Sequence, residues 1–184
     1  MHARDIPNLI TGLRILLVVP VAWLMIEQRY GEALLLFIIA GGSDALDGFL
    51  AKHFNWTSWL GGWLDPLADK LLLVTVFVIL GLQSLIPLWL VIIAVLRDLI
   101  IFSGALIYRQ LYRDIDPEPR LLSKLNTLAQ ILLAMMILVH AWLDWFSVTT
   151  VVTTVWTVAA TIIASGLDYI AIWFKRARRA AMRH

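Results

Sequence analysis

Long apolar runs separated by short polar stretches dominate the chain. Runs close to the roughly 20 residues needed to cross a bilayer lie at residues 9–26, 32–53, 62–82, 86–108, 121–143 and 148–174. The breaks between them are short and are polar or contain glycine or proline, as in EQRYG at 27–31 and DIDPEP at 114–119. The pattern predicts an all-α integral membrane protein with six transmembrane helices.

The composition supports lipid rather than water as the main solvent. Hydrophobic residues make up 61% of the 184 residues and charged residues 15%, against about 45–50% and 25% in soluble domains. The absence of cysteine excludes disulfides and thiol chemistry. No repeat or long linker divides the chain, so we expect one domain over residues 1–184. The net charge of +2 requires no nucleic-acid partner.

The basic residues predict the orientation. Six spans place both termini on one side, and of the 15 Lys and Arg residues only Arg29 falls in a loop on the opposite side. The positive-inside rule therefore predicts cytoplasmic termini. The side of the termini carries these basic residues in its loops and ends: Arg4, Arg109, Arg113, Arg120, Lys175, Arg176, Arg178, Arg179 and Arg183.

Four aspartates lie where lipid disfavours them, within or at the ends of apolar helices: Asp44, Asp47, Asp65 and Asp69. Each would cost about 2.5–3.5 kcal/mol at a helix centre, so a compensating partner is expected. Each pair occupies one helical face, because members three or four residues apart are neighbours on a helix. Converging carboxylates require cations between them, and hard ions such as Mg²⁺ or Mn²⁺ suit an all-oxygen site.

Small residues accompany the acids. Gly48 and Ala51 extend the face of Asp44, and Gly61 precedes Asp65 by about one turn. Small side chains can serve close helix packing in lipid, but three of them beside the acids favour a floor on which a ligand approaches the backbone.

The stretch DALDGFLAK at 44–52, followed after eight residues by GGWLDPLAD at 61–69, resembles the signature of the CDP-alcohol phosphotransferases. Four Asp, two Gly and one Ala match the register of that signature from Asp44 to Asp69. One departure is Lys52, where the family usually has Arg; lysine keeps the charge but loses the bidentate fork.

The resemblance implies a six-helix fold, a homodimer and an active site open to the cytoplasm, and we expect a bacterial inner membrane. It implies that Asp44, Asp47 and Asp65 hold two divalent cations, Mg²⁺ or Mn²⁺, on the diphosphate of CDP-diacylglycerol. Asp69 would contact a metal and act as the base. The residues implied to line the CDP-lipid site are Pro7, Asn8, Thr11, Gly48, Ala51, Lys52, Ser58 and Gly61.

Residues outside this signature bear on the identity of the acceptor alcohol. Arg97 and Lys124 suit an acceptor that carries a phosphate, which both phosphatidylglycerol and glycerol 3-phosphate do. Arg97 could instead form a structural pair with Asp98, and Lys124 could extend to the headgroups. LRD at 96–98 and LSKLNT at 122–127 with Gln130 are more similar to the cardiolipin synthases of this family than to its phosphatidylglycerophosphate synthases. The resemblance therefore favours phosphatidylglycerol, with glycerol 3-phosphate as the alternative.

An ion-coupled transporter is the alternative of another class, because such proteins also bury acidic residues in the membrane. Here the four acids are confined to one helical hairpin, and no acidic relay continues to the other side of the bilayer. The pattern therefore favours an enzyme.

Overall fold

Six α-helices follow one another along the chain in the computed structural model, and the described residues contain no strand. The helices are α1 (Ile6–Ile26), α2 (Tyr30–Phe54), α3 (Gly61–Leu82), α4 (Leu88–Leu111), α5 (Leu121–Leu143) and α6 (Val148–Ala181). The structure describes the backbone of residues 6–54, 61–111 and 121–181, and the side chains of residues 12–42, 70–104 and 121–172. The predicted all-α fold with six helices is confirmed.

The helix bounds follow the apolar runs closely, with one clear exception. Helix α5 has the predicted bounds, whereas α6 continues to Ala181, seven residues beyond the predicted end at 174. The added segment is rich in alanine and arginine, which have high helix propensity. The helix therefore extends beyond the apolar run.

Three helices are followed within two residues by a residue that has a positive φ and is not glycine. Gln28, Ser84 and Asp144 have φ values of 60°, 60° and 49°. After α1, the Arg29 amide donates to the Leu24 carbonyl at 2.8 Å. This is the bond across six residues that closes a helix end with a left-handed residue, and it satisfies a carbonyl that would otherwise lack a partner.

The chain groups into two compact units. The first comprises Met1–Leu85 and Ala134–Phe146, and the second Ile86–Leu133 and Ser147–His184. Helix α5 thus contributes its first half to the second unit and its second half to the first. Compact packing units are not the same as independently folding domains, so the single domain stays a prediction.

In the first unit, α1 packs along both α2 and α3, and α2 and α3 contact each other over a shorter stretch. The interior is mainly apolar, with Val21, Met25, Val76 and Leu80 fully enclosed, and it also contains the buried charged side chain of Arg14. In the second unit, α4 packs closely against α6. Its interior includes Leu90, Val158 and Ile162. Each unit therefore has its own apolar core.

Much of the outer surface is apolar as well. Leu16, Val19, Leu82 and Leu121 are among the large hydrophobic side chains exposed on the described helices. Monomeric soluble proteins rarely expose apolar patches of this extent. Within the described residues, Leu121–Leu143 and Val148–Ile172 are long and apolar enough to cross a bilayer. The described parts of the first three helices, Gly12–Ile26, Tyr30–Gly42 and Lys70–Leu82, are apolar but shorter.

One close approach in the first unit gives a test of the packing. A Cβ added at Gly31 would lie 2.7 Å from Cε2 of Trp142 and 2.9 Å from Cδ2. We expect Gly31→Ala to destabilise the fold by about 1 kcal/mol, the lower end for an overpacked site, because the ring must move but is 57% exposed and can shift outward. The measurement is thermal unfolding of the purified protein in detergent.

The matched control is Gly41→Ala in the same helix, where an added Cβ meets nothing within 4 Å. This substitution should leave stability unchanged or raise it, since alanine favours a helix over glycine by about 1 kcal/mol. Equal effects of the two substitutions would contradict the described contact between Gly31 and Trp142.

Candidate active site and a buried polar network

The four predicted metal ligands lie on two helices of the first unit. Asp44 and Asp47 belong to α2, and Asp65 and Asp69 belong to α3. Their side chains fall outside the described residues, so their role as ligands stays a prediction. The same applies to the side chains of seven predicted CDP-lipid contacts on the first three helices: Pro7, Asn8, Thr11, Gly48, Ala51, Lys52 and Gly61. Ser58 falls outside the described backbone.

Two hydrogen bonds of Gln83, called the tie below, set the relative register of these helices at their other end. The side chain of Gln83, directly after α3, donates from Nε2 to the carbonyl oxygen of Met25 at 2.7 Å. Its Oε1 accepts a hydrogen bond from the hydroxyl of Tyr30 at 3.2 Å. Met25 lies near the end of α1, and Tyr30 begins α2. The end of α1, the start of α2 and the end of α3 therefore meet, and α2 runs antiparallel to α3.

The number of residues between this tie and each acid gives the level of the acid, meaning its distance from the tie along the helix axis. Asp44 lies fourteen positions after Tyr30, and Asp69 lies fourteen positions before Gln83. At about 1.5 Å per residue, both backbone positions are about 21 Å from the tie along their helices. The two acids therefore share a level.

The remaining pair lies about one turn further from the tie. Asp47 follows Asp44 by three positions on α2, and Asp65 precedes Asp69 by four positions on α3. Their levels are therefore about 26 and about 27 Å from the tie. The two further acids thus match in level as well.

The start of α1 reaches the same level. Asn8 precedes Met25 by as many positions as separate Tyr30 from Asp47, which again gives about 26 Å from the tie. The register thus brings the acids of α2 and α3, and the predicted lipid contacts at the start of α1, to one end of the first unit.

Arg97 forms the centre of a buried polar network in the second unit. It is 4% exposed, and its NH1 donates to Oδ1 of Asp98 at 2.7 Å. Its NH2 donates to Oγ of Ser123 at 2.7 Å and to Oγ of Ser165 at 2.5 Å. Gly166 lies beside this side chain, and a Cβ there would make an ordinary van der Waals contact with the Cγ of Arg97 at 3.8 Å. One arginine thereby joins α4, α5 and α6.

These contacts bear on the two interpretations of Arg97. The pairing with Asp98 that the sequence left open is present, and the guanidinium holds three helices together. Lys124 follows Ser123 but is exposed, and the described bonds of Arg97 do not include it. Binding of an acceptor phosphate by Arg97 and Lys124 stays a prediction.

Near this network lie two polar residues, Asn126 and Gln130, that the sequence analysis used only as positions of family resemblance and to which it assigned no structural role. Asn126 and Gln130 are 0% and 2% exposed, and Oδ1 of Asn126 accepts a hydrogen bond from the hydroxyl of Thr161 at 3.0 Å. Their spacing on α5 after Ser123, by three and then four positions, could have identified them as one helical face. Thr161 and Ser165 are likewise four positions apart on α6. Only the structure shows that these faces meet.

A comparison with protein-family models identifies the family of the chain. The family described as CDP-alcohol phosphatidyltransferase matches residues 4–174. The chain belongs to this family. The family predicted from the spacing of the four aspartates is therefore confirmed, and the matched range includes helices of both compact units.

Similar curated proteins carry two kinds of name. The chain is 40% identical over 120 residues to a human protein named cardiolipin synthase (CMP-forming), and 39% identical to the rat protein of that name. It is 30% identical over 184 residues to a rice protein named CDP-diacylglycerol–glycerol-3-phosphate 3-phosphatidyltransferase 1, chloroplastic.

The matches cover different shares of this chain and of the length of each relative. The human and rat matches include 65% of this chain and 39% of each relative's own length. The rice match includes 90% of this chain and 56% of the relative. The chain thus spans well under two thirds of each of these relatives.

The Arg97 network gives a prediction for stability. Arg97→Ala removes the guanidinium that lies 2.7 Å from the carboxylate of Asp98, and breaking a buried ion pair typically costs about 3–5 kcal/mol. We expect a large fall in the thermal unfolding temperature in detergent.

Lys124→Ala provides the matched control, because it removes an exposed cation close along the chain to Ser123. It should leave the unfolding temperature nearly unchanged. If Arg97→Ala were equally harmless to stability, the described network would not hold the second unit together.

Proposed function

We propose that this chain is a membrane-bound transferase that moves the phosphatidyl group of CDP-diacylglycerol to phosphatidylglycerol, producing cardiolipin and CMP. The observation that carries the proposal is the placement of four signature aspartates on two antiparallel helices whose register gives them matching levels. The family to which the chain belongs, and the names of the human and rat relatives, support it.

The donor set fits divalent cations. Asp44, Asp47 and Asp65 would hold two ions, with Asp69 in contact with one, and carboxylate oxygens are the ligands that Mg²⁺ and Mn²⁺ prefer. Antiparallel helices with matched levels allow acids from both to face one space. When bound, such ions supply charge neutralisation for the diphosphate of the nucleotide.

In the proposed reaction, Asp69 accepts the proton of the acceptor hydroxyl. The hydroxyl oxygen forms a bond to the phosphorus that carries the diacylglycerol. The bond from that phosphorus to the oxygen of CMP breaks, and CMP leaves with the electron pair. The chain's own residues bind the nucleotide, orient the acceptor and hold the proton. Gly48, Ala51 and Gly61 leave space for the nucleotide, and Lys52 would offset phosphate charge.

We further propose that all six helices cross the membrane with both termini in the cytoplasm. The charges around Arg29 support this orientation. Its guanidinium donates to Glu32 from Nε at 2.9 Å, and NH1 lies 3.9 Å from Glu27. The hydrogen bond to Glu32 raises the pKa of Arg29 further, so the residue stays charged. The positive-inside rule counts Lys and Arg rather than net charge, and this loop carries one such residue against the nine named on the side of the termini.

Two finer features stay predictions. A homodimer is expected from the family resemblance. A bacterial inner membrane is also an expectation, and the relatives do not select it, since the curated proteins named as cardiolipin synthases come from human and rat as well as from Streptomyces coelicolor.

A second acceptor has a specific observation in its favour. The rice relative, named as a glycerol-3-phosphate phosphatidyltransferase, matches 90% of this chain. Glycerol 3-phosphate is therefore the alternative acceptor.

A side-by-side assay decides between the acceptors. Purified protein with CDP-diacylglycerol and Mg²⁺ or Mn²⁺ receives either phosphatidylglycerol or glycerol 3-phosphate, and released CMP and lipid products are measured. We expect CMP and cardiolipin with phosphatidylglycerol. Product with glycerol 3-phosphate alone would make the chain a phosphatidylglycerophosphate synthase, and no CMP with either acceptor would contradict the proposed function.

The same assay tests the proposed base. Asp69→Asn should abolish CMP release while the unfolding temperature is retained, because asparagine keeps the shape but cannot accept the proton. The control is Asp144→Asn, which alters an exposed acid at a positive φ that asparagine tolerates. Substantial turnover by Asp69→Asn would remove Asp69 from this role.

A further inference from the structure

Arg14 is a buried cation on the inner face of α1. It is 1% exposed, and it shares a helical face with the buried residues Val18, Val21 and Met25, which follow it at intervals of four, three and four positions. Helix α1 packs along both α2 and α3. Arg14 therefore lies on the face that α1 buries in the first unit.

A buried charge of this kind needs an acid close by, because leaving it uncompensated among apolar side chains is strongly unfavourable. The acids within α1, α2 and α3 are Glu32 and the four signature aspartates. Glu32 lies two positions after Tyr30, close to the tie, and accepts a hydrogen bond from Arg29. Arg14 precedes Met25 by eleven positions, which places its backbone about 17 Å from the tie. Among the acids of these helices, the signature aspartates are therefore the candidates.

The direction of the side chain favours the nearer pair of aspartates. On an α-helix each Cα–Cβ bond tilts toward the N-terminus, and the start of α1 is the end that reaches the level of the acids. The side chain of Arg14 is therefore expected to extend toward the level of Asp44 and Asp69, about 21 Å from the tie. Asp47 and Asp65 lie about one further turn away.

The buried face of α2 continues to Asp44. Ala33, Phe37 and Ala40 are buried, and they follow one another at intervals of four and three positions. The next interval of four leads to Asp44. By its position, Asp44 thus belongs to the same helical face as these buried residues.

The residues at the level of Arg14 favour the acid of α2 over the acid of α3. Ala40 lies about 15 Å from the tie on α2, and its side chain is a single methyl group. On α3 the residues at this level are Leu72 and Leu73, which are both buried. A methyl group obstructs an arginine stem less than two isobutyl groups do. The path from Arg14 therefore leads to Asp44.

We infer that Arg14 is a positioning residue whose guanidinium pairs with the carboxylate of Asp44, on the side of the proposed metal site nearer to the tie. The pair balances the charge of Asp44 while the site holds no cation. A carboxylate has further lone pairs for a divalent ion, and a hydrogen bond to a ligating carboxylate fixes its orientation. The inference rests on the proposed function for the cations but not for the pair.

A double-mutant cycle in detergent tests the pair without turnover. Unfolding temperatures are measured in EDTA for the wild type, Arg14→Gln, Asp44→Asn and the double variant. Arg14→Gln should lower the unfolding temperature strongly, because it leaves a buried carboxylate without its counter-charge. In the Asp44→Asn background the same substitution should lower it far less, because that carboxylate is gone. Equal losses in the two backgrounds would overturn the pair.

Asp69→Asn provides the matched background, since Asp69 has the same level on the other helix. The loss caused by Arg14→Gln should keep its full size there. If Asp69→Asn relieves the loss as much as Asp44→Asn does, or more, the assignment to Asp44 is overturned. Arg14→Lys keeps the charge but loses the bidentate fork, and it replaces Arg14→Gln in the same cycle if that variant unfolds.

Divalent cations give a readout that a purely structural role would not move. With Mn²⁺ and CDP in place of EDTA, the loss caused by Arg14→Gln should shrink, since bound ions supply positive charge to Asp44. Arg29→Gln is the control, because it removes an exposed arginine that donates to Glu32 near the tie, and its effect should be equal in both solutions.

An equal loss from Arg14→Gln in both solutions, in a wild-type protein that binds Mn²⁺, would overturn the link between Arg14 and the metal site. Absent CMP release by the wild-type protein would instead contradict the proposed reaction, and the cycle in EDTA would still decide the pair. The two failures are therefore distinguishable.

Discussion

Polar and charged side chains enclosed among apolar helices need a partner, because neither lipid nor a hydrocarbon interior can replace the water they leave. The described part of the chain meets this requirement in two ways. Gln83 joins a carbonyl oxygen and a hydroxyl where α1, α2 and α3 meet. Arg97 joins an acid and two hydroxyls across α4, α5 and α6. Among the described residues, each unit thus contains a side chain that satisfies several groups on different helices at once.

The tie at Gln83 also links the fold to the proposed chemistry. By fixing where α2 starts relative to the end of α3, it determines the levels of residues about four to five turns away on both helices. The acids of the signature occur at those positions. A hydrogen bond roughly 20 Å from the candidate site along the helices therefore contributes to the alignment of its predicted ligands.

Much of the fold could be predicted from the sequence, and the reasons are physical. Apolar runs of bilayer length give helix number and bounds, because a backbone in lipid must satisfy its own hydrogen bonds. Helix α6 continues to Ala181, beyond the sixth apolar run, since this continuation depends on the helix propensity of alanine and arginine rather than on hydrophobicity. The partners of Arg97 were only partly predictable. Asp98 is adjacent, but Ser165 is 68 residues away, and no periodicity connects them. The family could be predicted because the four acids, glycines and alanine have a fixed spacing.

The central claim is that the acids of α2 and α3 together bind divalent cations for a nucleotide diphosphate. Electron paramagnetic resonance of Mn²⁺, titrated into purified protein with CDP present, measures this directly. We predict two bound Mn²⁺ per chain, lost when either Asp44 or Asp65 is replaced by asparagine, since the two residues lie on different helices but would share the ions. Mn²⁺ binding that persists after replacement of all four acids, or no binding by the wild-type protein, would contradict the account.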